Sequence, residues 1–316
     1  MAGRTGIVQY THYLPGKPYI MQRSSMAGDA RGTHHARASP SGTAEGVAAF
    51  RAIEAGLPDG ERICNDPYAV RFVDPSRLAW ITEHPDHPFP GLRNTIVARV
   101  RFFDDTITAA VGEGLEQLVI MGAGYDSRAY RIDAIRHHVR VFEIDHPDTQ
   151  SVKTEKIREI FGELPGHVTY VPADFATQDF GMRLLECGFS KTKKTLFVLE
   201  GLLMYLPLPA IDAMLSFIAG NSARGSSILF DCSPRTGAGG APERDARREL
   251  RDHVARSGEP IRFVVPPEGI GAFLAERQFS LIRTVTCADY ENMYFHGKNK
   301  DRVFYRPLTF FHAVTR

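Results

Sequence analysis

The sequence predicts an α/β fold: a doubly wound, seven-stranded, mostly parallel sheet whose last strand is antiparallel, preceded by an N-terminal helical segment. Three observations carry this. From Gln117 onward, apolar strand-like runs at 117–121, 139–144, 167–172, 195–200 and 226–231 alternate with helix-compatible segments at 126–137, 148–161, 178–187 and 208–221. Repeated strand–helix alternation implies a parallel sheet covered on both faces. The alternation then stops. Phe279–Thr286 and Leu308–Val314 are two more strand-like runs with no convincing helix between them, which suits an antiparallel pair at the sheet edge. Finally, the first run ends in Gly122-Ala123-Gly124 ahead of a polar, helix-compatible stretch, so a strand, a tight turn and a helix start follow one another.

The elements before the sheet read in order. Residues 1–40 are rich in Gly, Pro, Arg, His and Ser and predict an irregular arm. Residues 41–54 predict a short helix capped by Ser41 or Thr43, with Val47, Phe50 and Ile53 on one side. Asp66 to Val73 predicts another, with Pro67 in its first turn. His84 to Pro90 is a proline-broken loop. A long helix over 94–111 follows, its core face made by Ile96, Val100, Phe103, Ile107 and Ala110. Arg99 borders that stripe and therefore needs a partner, either a nearby carboxylate such as Asp104 or Asp105 or a ligand carboxylate. Gly237–Gly240 reads as a flexible loop, and Glu243–Arg256 as a solvated, salt-bridged helix face. The expected organisation is an N-terminal arm with lid helices over 1–92 and a ligand-binding domain over 93–316.

Composition removes several function classes. Thirty-eight basic residues against 37 acidic give a formal charge of +1, which disfavours a long phosphate-binding surface and hence nucleic acid. The cysteines at 64, 187, 232 and 287 are scattered, with no C-x-x-C pair, so no structural metal is expected and a reducing compartment suits the chain. No run is long and apolar enough for a signal peptide or a span, so the expectation is a cytoplasmic protein off the membrane.

In an open α/β sheet ligands bind beyond the carboxyl ends of the strands. That rule selects Gly122, Ala123 and Gly124 after the first strand, where the backbone allows close approach. At the end of the second strand, Asp145 is placed to accept from ribose hydroxyls. After the third, Asp174 suits an adenine amino group and Phe175 its ring. After the fourth, Glu200 opens the turn Glu200–Pro207, where an acid followed by glycine and apolar residues suits a cationic cofactor. Each acid has an ordinary alternative as a cap or turn residue; acids at the same end of four successive strands (Asp126, Glu143 with Asp145, Asp174 and Glu200) point to a nucleoside cofactor. A dinucleotide fingerprint wants a third glycine where Ser127 stands, which counts against NAD and FAD. S-adenosylmethionine has no pyrophosphate and fits better. The connection from Ala288 to Arg306 is expected at the same end. With Tyr205, its Tyr294 and His296 are the candidate substrate contacts, and His296 is the candidate base if the acceptor needs one.

The segments Ala98–Asp105, Met121–Arg131, Val141–Pro147, Val171–Phe175 and Glu200–Pro207 resemble the leucine carboxyl methyltransferase family. The resemblance is closest to its bacterial branch of S-adenosylmethionine-dependent enzymes, which includes polyketide O-methyltransferases. It implies a Rossmann-like class I methyltransferase with extra N-terminal helices closing over the cofactor. By that resemblance Arg99 holds the methionine carboxylate and Gly122 and Gly124 pass close to the cofactor. Asp145 holds the ribose, Asp174 holds the adenine amine, and Glu200 lies near the methionine amino group. The expected function is O-methylation of a carboxylate or hydroxyl on a small, polyketide-like acceptor. The rivals are a protein C-terminal carboxylate as acceptor and a cofactor-binding partner protein without activity. The arm before Ser41 and the chain after Gly237 match no family segment.

Overall fold

The continuous apolar runs of the middle of the chain become the centre of one seven-stranded sheet. The computed structural model describes residues 13–14, 17–18, 41–85, 89–175, 180–232, 248–249, 251–253, 255, 259–265, 267–305 and 308–316. The chain divides into two units, Met1–Ala38 and Ser39–Arg316. In the first, the two-residue strands β1 (Tyr13–Leu14) and β2 (Lys17–Pro18) pair antiparallel.

In the second unit the sheet comprises β3 (Gln117–Met121), β4 (Arg140–Asp145), β5 (Val168–Pro172), β6 (Thr195–Leu199), β7 (Ser227–Cys232), β8 (Phe279–Val285) and β9 (Thr309–Thr315). Their order is β5-β4-β3-β6-β7-β9-β8. The first five pair in parallel. β9 is antiparallel to both β7 and β8, so it alone runs against the rest. Every residue of β3 and β6 is buried, which requires cover on both faces, as expected for central parallel strands. The chain winds from β3 toward β5 on one side and from β6 toward β7 on the other. The switch point is therefore the crevice between the carboxyl ends of β3 and β6, where such sheets bind ligands.

Helices α1 (Gly42–Ala55), α2 (Pro75–Glu83) and α3 (Leu92–Gly112) precede the sheet. Ser41 caps α1, its hydroxyl accepting from the Ala44 amide. The expected helix over 66–73 is only a 3-10 turn, Ala69–Phe72. Asp66 turns its carboxylate onto the Tyr68 and Ala69 amides, as an N-cap does, and the turn stops where Val73 is extended. The helix lies further on: Asp74 caps α2, with Pro75 at its first position. The expected helix over 126–137 is two, α4 (Arg128–Arg131) and α5 (Asp133–His138), broken where Ile132 is extended. α6 (Pro147–Phe161), α7 (Phe180–Glu186) and α8 (Leu208–Gly220) fall in the expected segments.

The connection between β8 and β9 differs from expectation. It contains a helix, Cys287–Tyr294, and a 3-10 turn, Gly297–Asn299. Thr286 and Asp289 form a capping box that starts the helix. Because β8 runs with the parallel strands, this connection does leave from the carboxyl end of the sheet. Residues 303–305 close on the start of α3: Thr95 Oγ1 donates to the Tyr305 carbonyl, and the Tyr305 amide donates to Gly91. The Gly237–Gly240 loop and most of Glu243–Arg256 lie outside the described residues. Among the described residues no helix is long and apolar enough to cross a membrane.

Candidate active site

The turn after β3 is fixed by glycine and by its neighbour strand. Gly122 and Gly124 have φ of 68° and 44°, which L side chains rarely adopt. A Cβ on Gly122 would stand 2.9 Å from Leu202 Cδ1, and one on Gly124 3.1 Å from Ala44 Cβ, so the turn lies between the Glu200–Pro207 segment and α1. The Gly122 and Ala123 amides donate to the Ile144 carbonyl at 2.8 and 3.0 Å. Asp145, at the end of β4, divides its carboxylate between the Gly124 and His146 amides. The second-strand acid, read from the sequence as a ribose acceptor, thus touches the glycine turn directly. One strand further out, the Ala173 amide donates to the Asp145 carbonyl at 2.9 Å and brings Asp174 and Phe175 alongside, both half-buried. Phe175 lies against Phe180, with ring centroids 5.6 Å apart.

The other wall is a buried network of charge. Arg99 does not pair with Asp104 or Asp105. Its Nε donates to Glu200 at 2.9 Å and its Nη1 to Asp231 at 3.0 Å. The reason is helical phase. Asp104 and Asp105 project from other faces of α3, where Asp104 takes Arg128 and Arg131 and Asp105 takes Arg101. Arg128 Nη1 also reaches Asp126 at 2.5 Å and Glu200 at 2.6 Å. Arg51 of α1 joins by pairing with Asp66 at 2.8 Å and donating to the Tyr125 carbonyl. Four guanidiniums (Arg51, Arg99, Arg128, Arg131) thus face five carboxylates (Asp66, Asp104, Asp126, Glu200, Asp231) along a connected path from lid helix to sheet.

Burial and charge compete at each carboxylate. At Glu200 burial pushes the carboxyl up, but Arg128 and Arg99 together outweigh it and hold the group below its usual range. At Asp126 burial is again overcome, chiefly by Arg128, and the carboxyl sits at about 2. At Asp231 burial prevails over Arg99 and the Gly201 amide, and the carboxyl is raised. Arg99 and Arg128 are held firmly cationic: burial disfavours their charge, but their carboxylate partners outweigh it.

Among the described residues two atoms of this network lack a hydrogen-bond partner. Arg99 Nη2 makes no hydrogen bond among the described residues. Glu200 Oε2 is buried and close to Arg128, but without hydrogen-bond alignment, so the contact neutralises charge and leaves a lone pair unmatched. Beyond Glu200, Leu202, Leu203, Met204 and Leu206 are buried, and Tyr205 is half-buried in the field of Arg99. A strap closes this turn. The Arg262 and Phe263 amides donate to the Met204 carbonyl at 2.7 and 3.1 Å. Glu259, at the strap's start, accepts from Ser41 and Thr43 at the head of α1.

Gly122, Ala123, Gly124, Asp145, Asp174, Phe175, Glu200, Arg99 and Tyr205 are therefore gathered at the carboxyl ends of β3 to β7. Two expected substrate residues are not brought to this cluster. Tyr294 donates to Asp105 at 3.1 Å and lies under Arg101, on the side of α3 turned away from Arg99, because its helix folds back along α3. His296 is exposed ahead of the Gly297–Asn299 turn and makes no side-chain hydrogen bond among the described residues. That stretch is anchored elsewhere, through Lys298 to Glu61 and Arg302 to Glu54. Arg128, Arg131 and Asp231 were not singled out from the sequence, Asp104 entered only as a possible partner of Arg99, and Asp126 only as the end of the glycine loop. The spacing Asp126–Arg128–Arg131 just beyond a glycine turn was the available signal, since charges in the first turns of a buried helix need partners.

Comparison with known proteins shows the family and the fold. The family model described as leucine carboxyl methyltransferase matches residues 44–219. A protein of Mycolicibacterium gilvum strain PYR-GCK, provisionally named an S-adenosyl-L-methionine-dependent methyltransferase, is 35% identical over 225 residues, covering 67% of this chain and 72% of that one. YktD of Bacillus subtilis strain 168, named in the same way, is 27% identical over 256 residues, covering 81% and 80%. Among solved structures, a provisionally named methyltransferase from Thermobifida fusca YX shares the fold. Its TM-score is 0.59 at 15% identity, over 88% of this chain and 96% of that one.

Proposed function

We propose that this chain, which belongs to the leucine carboxyl methyltransferase family and is an S-adenosylmethionine-dependent methyltransferase, transfers the methyl group to an oxygen of a small, largely apolar organic acid. The observation that carries the reading is the strap. By fastening to Met204 and to the head of α1 it roofs the apolar Leu202–Leu206 turn next to Arg99 and Glu200. A roofed apolar wall suits a compact acceptor better than an extended protein tail.

The residues present fit the cofactor. Arg99, with Nη2 open, suits its carboxylate, and Glu200, with an unmatched buried lone pair, suits its ammonium. Gly122–Gly124 offer close backbone approach, Asp145 suits ribose hydroxyls, Asp174 suits the adenine amine, and Phe175 suits the ring face. The segment 41–92 then serves as the lid, with Ala44 against Gly124 and Arg51 tied to Tyr125. When bound, S-adenosylmethionine supplies an electrophilic methyl group on a sulfonium.

What the chain contributes is position and dryness. Holding both reactants in one orientation removes most of the entropic barrier of a bimolecular displacement, and excluding water strengthens every charge contact inside. A carboxylate acceptor is ionised at neutral pH and needs no base. A hydroxyl acceptor would need one, and His296, the candidate from sequence, is exposed and bonds to none of the site groups. The arrangement therefore supports a carboxylate over a hydroxyl.

The test is a transfer assay with methyl-labelled S-adenosylmethionine against aliphatic and aromatic carboxylic acids, matched phenols, and a peptide ending in leucine. The expected product is an ester that releases labelled methanol in mild alkali. An alkali-stable ether would move the acceptor to a hydroxyl. A higher kcat/KM on the peptide would move it to a protein carboxyl terminus.

A further inference from the structure

We propose that Asp231 is the positioning residue of the site's methionine end, setting through one carboxylate both the plane of the Arg99 guanidinium and the path of the Glu200–Gly201 turn. The inference rests on the reading that Arg99 and Glu200 hold the amino-acid end of the cofactor.

A carboxylate inside a strand buried on both faces is costly unless it is fully engaged. Asp231 is fully buried near the end of β7, and both of its oxygens are used. Oδ1 accepts from the Gly201 amide at 2.5 Å and Oδ2 from Arg99 Nη1 at 3.0 Å. Nothing in β7 itself calls for this acid, because the ladder to β9 is made by backbone groups. Its partners come instead from α3 and from the turn after β6, the two elements that carry the open ligand-facing atoms.

Arg99 has two carboxylate partners, but they are not equivalent. Glu200 is divided between Arg99 and Arg128. Among the described residues Asp231 pairs with no cation but Arg99. With Nε on Glu200 and Nη1 on Asp231, the guanidinium plane is defined at two points and Nη2 is left on the open edge. The turn is pressed against the same group. Gly201 has φ of 62°, and a Cβ there would stand 3.4 Å from Arg99 Nη1. The Gly201 amide bond therefore fixes where Glu200 leaves the strand at the point where that turn meets the guanidinium. Loss of Asp231 would free the orientation of Arg99 and the turn together, while the Asp145–Gly124 wall keeps its own hydrogen bonds.

The experiment is calorimetric titration of the full chain with S-adenosylhomocysteine and with 5′-methylthioadenosine, which has the adenosine but no amino-acid end. Wild type is compared with Asp231→Asn, Arg99→Met and the double variant. Asp231→Asn should weaken S-adenosylhomocysteine about tenfold or more and leave methylthioadenosine within about twofold. The double variant should be no weaker than about the poorer single variant, because both act on one contact set. Equal loss of both ligands in Asp231→Asn would mean a general structural role and would overturn the inference. So would unchanged affinity for S-adenosylhomocysteine, or additive losses in the double variant. If Asp231→Asn does not fold, Asp231→Ser, which keeps an acceptor near the Gly201 amide, is judged by the same criteria. Wild-type affinity for S-adenosylhomocysteine in Arg99→Met would instead remove Arg99 from the cofactor site. Weakening in Arg99→Met but not in Asp231→Asn would sink the positioning role alone.

Discussion

Arg128→Met removes a buried cation while keeping its length and much of its apolar volume, and its effect follows from the contacts of that one side chain. Arg128 is 2% exposed and serves Asp104, Asp126 and Glu200. Asp104 keeps Arg131 and Glu200 keeps Arg99, so Asp126 is the acid left buried without its main partner. Its carboxyl is held at about 2 against an ordinary 3.8. A shift of that size corresponds to about 2 kcal/mol of folding free energy, at 1.36 kcal/mol per unit. Partial loss at Glu200 and at Asp104 brings the total toward the ~3–5 kcal/mol typical of removing one side of a buried pair. For a unit of this size that is a fall in Tm of about 6–10 °C, read by circular dichroism at pH 7.5. The pH dependence carries the sign. A carboxyl depressed in the fold contributes stability above its unfolded value and loses it as pH falls through the folded value. The gap between wild type and variant should therefore be full at neutral pH and narrow below about pH 4. A variant that melts within about 2 °C of wild type at neutral pH, or a gap that widens on acidification, would refute the view that the network is held by Arg128.

Other outcomes follow from the same geometry. Arg99→Ala should weaken S-adenosylmethionine about tenfold or more, since a charge-assisted contact to a carboxylate contributes about 1.5–3 kcal/mol; unchanged calorimetric affinity per folded molecule would remove Arg99 from the site. Gly124→Ala should lose about 1–2 kcal/mol in urea unfolding from the positive φ, and adding Ala44→Gly should recover only the part due to the 3.1 Å approach. Wild type should lose stability as pH falls below about 4, because Asp66, Asp126 and Glu200 are all depressed in the fold and must take up protons; an acid-flat melting temperature would contradict those assignments. His296→Ala should leave turnover of a small carboxylic acid within about twofold, whereas a large drop in kcat with a shifted pH profile would restore a base to the mechanism.

The sheet was legible because its signals are local. Leu118-Val-Ile-Met121 and Leu196-Phe-Val-Leu199 are runs too apolar for anything but a buried strand, and each ends at a glycine turn. Adjacent parallel strands put Asp145 and the glycine turn at the same end, but the bonds from the Gly124 and His146 amides to its carboxylate were not read from the sequence. The helices of the lid were less legible. In α2 no residue is buried, so the apolar periodicity that marks a helix is weak, and its one local signal, the Asp74-Pro75 start, was not read. The Thr286–Asp289 capping box was present in the sequence, but an aromatic-rich stretch with no clean stripe hid the helix it starts. The ion pairs were invisible in principle. Arg99 is 101 residues from Glu200 and 132 from Asp231, so no spacing rule connects them. Nearness in sequence pointed to Asp104 and Asp105, which helical phase sends elsewhere. Tyr294 and His296 lie away from the cluster for a similar reason: the connection leaves from the expected end of the sheet, but the helix that ends at Tyr294 turns back along α3.

The fastenings of α1 bear on how the chain is made. Its head is held by Glu259, 218 residues downstream of Ser41, and its buried Glu54 is held by Arg302, 248 residues downstream. A helix of 14 residues is marginal in water by itself. At ~5–20 residues per second, a ribosome needs roughly 10–40 s to pass from Ser41 to Glu259. Throughout that interval the helix that covers the glycine turn has neither distant anchor. Two of the fastenings of α1 are therefore late, whereas its Arg51 partners, Asp66 and the Tyr125 carbonyl, emerge early. A chain ending before Arg302 would leave Glu54 buried without its cation.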